Sequence, residues 1–277
     1  MTRVQRQRTD ALPPTRPVKA SQSFSVWLLL RLSRSRGAAD CSGGQPEWTL
    51  ENALDKLCRV YPGFLEHIQG KEILDHGSGL GFQSAALAMQ GAKHVVGLDV
   101  RADHMQIAQD LILRLGLEDR VEFRECLGPE LEGRFDLVIS QNSMEHYPDP
   151  AGCLAEMVRA LKSGGRILLT FGPPWHAPHG SHMHFFTRVP WVNLLFREKT
   201  VINVRRHFRD DGARRYEEVE GGLNRMTLRK FDRLLAGAGL RVLYRRNEGV
   251  KGLHFLTKIP VLRELFTNNI ACELARE

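Results

Sequence analysis

The sequence predicts an α/β domain built on a doubly wound, mostly parallel sheet, with an inserted cap after its fifth strand. Three observations carry that expectation. Between Lys71 and Val100, a short apolar run ends at Asp75, a glycine-rich turn follows, and a second apolar run ends at Asp99. Between those runs Phe82, Ala85, Ala86 and Met89 stand at i, i+3, i+4, i+7, the spacing of one buried helix face. Further apolar runs at 121–124, 135–140, 166–171 and 240–244 alternate with helix-period segments, as βαβ units require.

The elements follow in order. Residues 1–45 read as a basic tail that cannot build a core, because 1–23 are polar and carry Pro13, Pro14 and Pro17. Within the tail, Phe24–Leu32 admits three readings: a signal peptide, weakened by Arg31; a basic amphipathic segment on an anionic membrane surface; or a helix folded back on the domain, or else an upstream mis-assigned start. Gly37–Gln45 reads as a flexible joint. The domain proper is 46–277. Trp48, Leu50, Ala53, Leu54 and Leu57 predict a helix over Pro46–Leu57, and Met105, Ala108, Ile112 and Leu115 predict one over Arg101–Leu115. Val121–Arg124 is the third strand and Phe135–Ser140 the fourth. The helix after Pro150 buries Leu154, Met157, Val158 and Leu161 and stops at Ser163-Gly164-Gly165, before a fifth strand over Arg166–Phe171. Residues 172–222 are too long for a simple crossing and predict a lid or cap. An amphipathic helix from Leu228 is closed by Gly239; Leu240–Tyr244 is the sixth strand, 247–266 a smaller insertion, and Asn269–Ala275 the last strand.

Composition bounds the function. The net charge of +7 divides into +7 over 1–36, −8 over 37–174 and +8 over 175–277. The basic character belongs to the tail and the C-terminal third, which argues against a protein that coats nucleic acid and for a local anionic partner. The five cysteines form no CxxC pair, and no apolar run approaches the ~20 residues that span a bilayer. The expectation is a cytoplasmic protein, with peripheral membrane contact open.

The turn His76-Gly77-Ser78-Gly79-Leu80-Gly81 allows a ligand to approach main-chain N–H groups, and Asp99 at the end of the second run suits ribose hydroxyls. A dinucleotide would set its pyrophosphate beside Asp75, where a carboxylate repels it. A ligand carrying an ammonium and a sulfonium is favoured instead. Asp75-x-Gly77-x-Gly79-x-Gly81 with Asp99, continued through Phe135–Ser140 and Leu161–Leu168, resembles the class I S-adenosylmethionine-dependent methyltransferases over roughly residues 46–174. The resemblance implies a Rossmann-like sheet of seven strands, the last antiparallel, with S-adenosyl-L-methionine as cofactor. It places cofactor contacts at Asp75, Gly77, Gly79, Gly81, Asp99, Val100 and Gln141. The acid that the family has after the third strand is missing, which leaves Glu125 or a backbone carbonyl at Cys126 for the adenine.

Ligands of open α/β sheets bind beyond the carboxyl ends of the strands. The loop Gln141–Pro150 should therefore face the site. It lacks the Asn/Asp-Pro-Pro-Tyr motif of amide and exocyclic-amine N-methyltransferases. Beyond the fifth strand lie His176, His179, His182 and His184, which with His146 are candidate bases, since imidazole titrates near neutrality. A polar lid is the competing reading; a metal site comes third, for want of a nearby acid. The function expected is O-methylation of a small or medium-sized acceptor, anionic in view of the basic cap: a glycan precursor, sugar nucleotide, lipid-linked intermediate or quinone-type lipid. An RNA or protein methyltransferase and a catalytically silent cofactor-binding module are the alternatives, with a nicotinamide oxidoreductase behind them.

Overall fold

The structure is a computed structural model and describes residues 23–34 and 48–277. Expectations for 1–22 and 35–47, including most of the tail and the joint, lie outside the described residues.

Seven strands form one sheet: β1 (Glu72–His76), β2 (His94–Leu98), β3 (Val121–Arg124), β4 (Phe135–Gln141), β5 (Leu161–Phe171), β6 (Leu240–Gly249) and β7 (Thr267–Arg276), in the order β3-β2-β1-β4-β5-β7-β6. The pairs β1–β2, β1–β4, β2–β3 and β4–β5 are parallel, and β7 runs antiparallel between β5 and β6. The order reverses between β1 and β4, so a crevice opens at the carboxyl ends of those strands. The doubly wound, seven-stranded expectation is met.

Helices cover both faces. On one, α4 (Phe82–Met89) and α5 (Ala102–Leu115) join α2 (Asp55–Val60) and α3 (Phe64–His67) in a core containing Leu57, Ile73, Ala85, Val95 and Ile139. On the other, α6 (Pro150–Ala160) and α9 (Leu228–Gly237) pack on Leu74, Val138, Leu169 and Leu274. The caps follow the local sequence. Asp149 accepts from the Gly152 N–H at the start of α6 with Pro150 in its first turn, and Thr227 accepts from Lys230 at the start of α9.

Several sequence-based boundaries move. Met89 is 56% exposed, because α4 is wedged between sheet and α5 and buries Ser84 through Ala88 instead of a single stripe. The first helix of the domain begins at Asp55, after a turn over 50–54, rather than at Pro46. The fifth strand starts at Leu161, where a register irregularity against β4 takes up the two glycines. The sixth strand runs on to Gly249.

Residues between β5 and α9 carry α7 (Val192–Leu195) and α8 (Glu198–Arg205) around a separate small core of Met183, Phe186, Val201, Val204 and Tyr216. Phe24–Arg31 is a helix, α1, docked on that core through Val26 and Leu29. Of the three readings of this stretch, the structure shows the helix packed on the domain. Among the described residues no helix is long and apolar enough to cross a membrane.

Candidate active site

A cavity of about 770 Å³ lies at the carboxyl ends of β1, β4 and β5 and the amino end of antiparallel β7, under the segment that leads into α2. One half is the glycine turn. Gly77 has φ +83°, and a Cβ there would stand 2.6 Å from the Ser143 Oγ. Gly81, at φ +81°, begins α4 so close to α5 that a Cβ would lie 2.7 Å from the Ala108 Cβ and 2.9 Å from the Phe123 Cζ. The N–H groups of Gly77 and Ser78 both donate to the Leu98 carbonyl (2.8 and 2.9 Å), which binds the turn to the end of β2.

Two carboxylates frame that turn. Asp75 is buried, and its two oxygens accept from Gln83 Nε2 and Ser84 Oγ, each at 2.6 Å. Burial pushes its carboxyl up to about 6, against the pull of those two hydrogen bonds. Asp99 accepts from the Gly79 N–H (2.8 Å) and the Arg101 N–H (2.9 Å). It therefore fixes the turn as well as marking the end of the second strand.

Of the residues expected to hold the cofactor, Asp75, Gly77, Gly79 and Gln141 line the cavity. Gly81 and Asp99 support the turn from behind. Val100, Glu125 and Cys126 are exposed and do not line it, because the chain turns outward after β2 and β3.

The other half of the cavity gathers residues from distant elements: Lys56 from α2, Asn142, Glu145 and His146 after β4, His182 from the loop after β5, Glu248 from β6, and Asn269 from β7. Tyr61 positions α2, its hydroxyl lying 2.9 and 2.8 Å from the Leu169 and Cys272 carbonyls. Lys56 then reaches inward, and its Nζ donates to the Asn142 and Asn269 side-chain oxygens. Burial holds its ammonium down to about 8, partly offset by Glu145 and Glu248. Glu145 is 3% exposed. Its Oε1 accepts from the Gly172 N–H at 3.0 Å, whereas its Oε2 is sealed from solvent with no hydrogen-bond partner among the described residues. Gln141 Oε1 and His182 Nε2 are in the same condition. Three buried polar atoms without hydrogen-bond partners among the described residues, on residues that line one cavity, are costly in an apolar interior.

The histidine cluster divides. His146 and His182 line the cavity with ring centroids 5.3 Å apart. The Gly222 carbonyl lies 2.7 Å from His146 Nδ1 and so requires the proton there, leaving Nε2 as an acceptor in the neutral ring. His182 is pulled down to about 3 by burial and by the neighbouring His146 and His184, so it is neutral across the physiological range. The other three lie away from the cavity. His176 pairs with Glu264 at 3.7 Å, and His179 faces His184 at 6.3 Å between ring centroids. The cap arginines are also elsewhere: Arg205 pairs with Asp211, Arg209 with Glu220, and Arg215 with Glu218. Among the described residues, no three His, Cys, Asp or Glu side chains form a group that could hold a metal ion.

Sequence reasoning missed Lys56, Glu145, Glu248 and Asn269. Glu145 was within reach, since it precedes His146 in the loop already assigned to the site. Lys56 and Asn269 carry no local signal, because only the packing of α2 against β7 brings them together.

Residues 67–172 match the family described as Methyltransferase domain. The chain is 32% identical over 133 residues to the ubiquinone biosynthesis O-methyltransferase of Paracidovorax citrulli, a match covering 44% of this chain and 55% of that one. It thus spans about half the length of the curated relatives it matches. Among solved structures, geranyl diphosphate C-methyltransferase from Streptomyces coelicolor superposes with a TM-score of 0.51 at 18% identity, over 86% of this chain and 89% of that one. The [4+2]-cyclase SpnF superposes with a TM-score of 0.52 at 16% identity, over 91% and 93%. Those two names span different chemistries, so the likeness fixes the fold and leaves the reaction to the site. Strand order and the glycine turn with its two carboxylates give this chain the Rossmann-like fold of the S-adenosylmethionine-dependent methyltransferases, and residues 67–172 match a methyltransferase domain.

Proposed function

We propose that the chain transfers the methyl group of S-adenosylmethionine to a hydroxyl of a small or medium-sized acceptor. The observation that carries this reading is that Glu145, Gln141, His146 and His182 line one cavity with the glycine turn. A hydroxyl brings a donor to such a set, and it must lose its proton when its oxygen is methylated. The sulfonium supplies an activated methyl group, so the protein's part is to position the acceptor, exclude water and receive that proton. Glu145 is the proton acceptor in this reading. His182 is held neutral too firmly to keep a proton, and it orients the hydroxyl by accepting its hydrogen bond. His146 remains a second base candidate through Nε2.

Gly77 and Gly79 shape the cofactor turn, Asp75 meets its ammonium end, and Asp99 its ribose. The relatives' names, which include ubiquinone biosynthesis O-methyltransferase, support oxygen as the methylated atom. An anionic acceptor would find Lys56 and Arg59 in the cavity, since the cap arginines do not line it. A glycan precursor, a sugar nucleotide, a lipid-linked intermediate or a quinone-type lipid all fit these terms. The lipid-linked forms would bring the protein to a bilayer surface from the cytoplasmic side.

Calorimetric titration with S-adenosylhomocysteine tests the cofactor pose. Asp99→Ala should weaken binding by more than ~1 kcal/mol, the scale of one lost hydrogen bond, with further loss as the Gly79 N–H is freed. Unchanged affinity in a folded variant would refute the pose. Turnover of hydroxylated acceptors then tests the reaction; methylation of RNA or protein alone would overturn the acceptor class.

Asp75 adds a pH dependence. Its folded-state value lies above the ordinary carboxylate value, so its contribution to stability is full below about 4 and is lost as pH rises through about 6. A ligand ammonium requires the ionised form. Affinity for S-adenosylhomocysteine should therefore fall as pH drops below about 6 and level off above about 7. A flat profile across that range in wild type, matched by Asp75→Asn, would exclude Asp75 from the contact.

A further inference from the structure

Helix α1 has two apolar faces. The inner one, Val26 and Leu29, is buried in the cap core, and the helix is tied down by a 3.2 Å hydrogen bond between the Ser25 and Thr200 hydroxyls and by Arg34 N–H donating to the Phe186 carbonyl at 2.7 Å. The outer one is open. Phe24 is 73% exposed and Trp27 47%, with Leu32 at 50% just beyond the helix end. The Phe24 and Trp27 rings stack at 5.7 Å, and the Arg31 guanidinium sits 5.7 Å over the Trp27 ring.

Single exposed apolar side chains are ordinary on a protein surface. Here two stacked aromatics and a leucine crowd within nine residues of one rigidly anchored segment, where nothing in the fold of the domain requires them. Their surroundings say what would cover them. Lys199, Arg206 and Arg214 line an open depression beside α8, the helix on which α1 packs, together with Arg215, whose guanidinium is paired with Glu218. Its single acid, Glu198, is already engaged by Arg225 and the Tyr216 N–H. Residues 1–22, directly before α1, carry five Lys or Arg against one Asp. Leu194 and Leu195 on neighbouring α7 are exposed as well.

We propose that the outer face of α1 is a docking surface for an anionic lipid bilayer. Phe24, Trp27 and Leu32 would enter the boundary between headgroups and acyl chains, where indole rings are favoured. Arg31, with Lys199, Arg206 and Arg214 of the depression, would meet lipid phosphates. The charge complement selects an anionic membrane over a second copy of this chain, whose matching surface would bring the same cations against themselves. This surface is separate from the cavity and does not depend on the identity of the methyl acceptor.

The test is co-sedimentation of the full chain with vesicles of phosphatidylcholine alone or with about one quarter phosphatidylglycerol. Binding should appear with the anionic vesicles, weaken as salt rises from about 0.1 to 0.5 M, and shift tryptophan emission to the blue. The double change Phe24→Ser, Trp27→Ser should weaken binding about tenfold or more and leave S-adenosylhomocysteine affinity unchanged, which certifies the fold. Absence of binding to anionic vesicles, or equal binding by the folded double variant, would overturn the proposal. So would self-association without lipid that the double change abolishes, since that would assign the face to a second copy.

Discussion

Glu145→Gln should lower methyl transfer by about a hundredfold or more while S-adenosylhomocysteine affinity stays within about threefold. The substitution keeps the volume and the Oε1 that accepts from the Gly172 N–H, so the end of β5 is held as before. What it removes is the negative charge and a basic oxygen at a residue that lines the cavity. His182→Ala makes the contrast. It removes an orienting hydrogen bond from a ring too firmly neutral to keep a proton. Its expected effect is a raised KM with a smaller loss in kcat, about tenfold. Steady-state kinetics on both variants, with cofactor saturating, separates the roles. Full activity in Glu145→Gln would return the base to His146.

Gly81→Ala should destabilise the fold by about 2–5 kcal/mol, from a left-handed backbone and an overpacked contact together. At φ +81° a side chain is strained, and its Cβ would press on the Ala108 Cβ at 2.7 Å and the Ala108 Cα at 3.2 Å. Neither is the end of a flexible chain, so α4 would have to leave α5. Gly79→Ala is the control. It has φ +52° with nothing within 4 Å of the added atom, and its cost should be about 1–2 kcal/mol. Thermal unfolding of the two variants without ligand measures the difference. Equal costs would mean that the contact between α4 and α5 yields more readily than the distances indicate.

The sheet was legible because each of its parallel units is local in sequence. β1, the turn, α4 and β2 fall within 72–98, and their apolar runs and glycines specify them with little help from elsewhere. The expected third and fourth strands begin where the structure begins them, at Val121 and Phe135. Periodicity failed where an element is buried on more than one side, as with Met89 and the face of α4. It also failed where docking decides the outcome: the apolar residues of α1 suit a membrane or a protein core equally well, and only the cap supplies the partner. The site was half legible for the same reason. The glycine turn is a local motif, whereas the acceptor half needs α2, β6 and β7 to meet. The histidines looked like one cluster because they are close in sequence. The loop that carries them turns at His182, which has φ +56°, and delivers that ring to the cavity while His176, His179 and His184 point elsewhere.

β7 follows every other element in the sequence yet lies inside the sheet, flanked by β5 and β6. Residues 167–171 of β5 pair with 270–274 of β7, across about a hundred residues of intervening chain. Loop closure over such a span is slow compared with forming the local βαβ units. A chain emerging during synthesis would therefore hold β5 as an unpaired edge until the final segment arrives, and an open strand edge invites pairing with other chains. The same final segment brings Asn269, the partner of Lys56 in the cavity. Closing the sheet and completing the second half of the cavity are thus one event, and a nascent chain stopped short of it would carry the glycine turn beside an unfinished cavity.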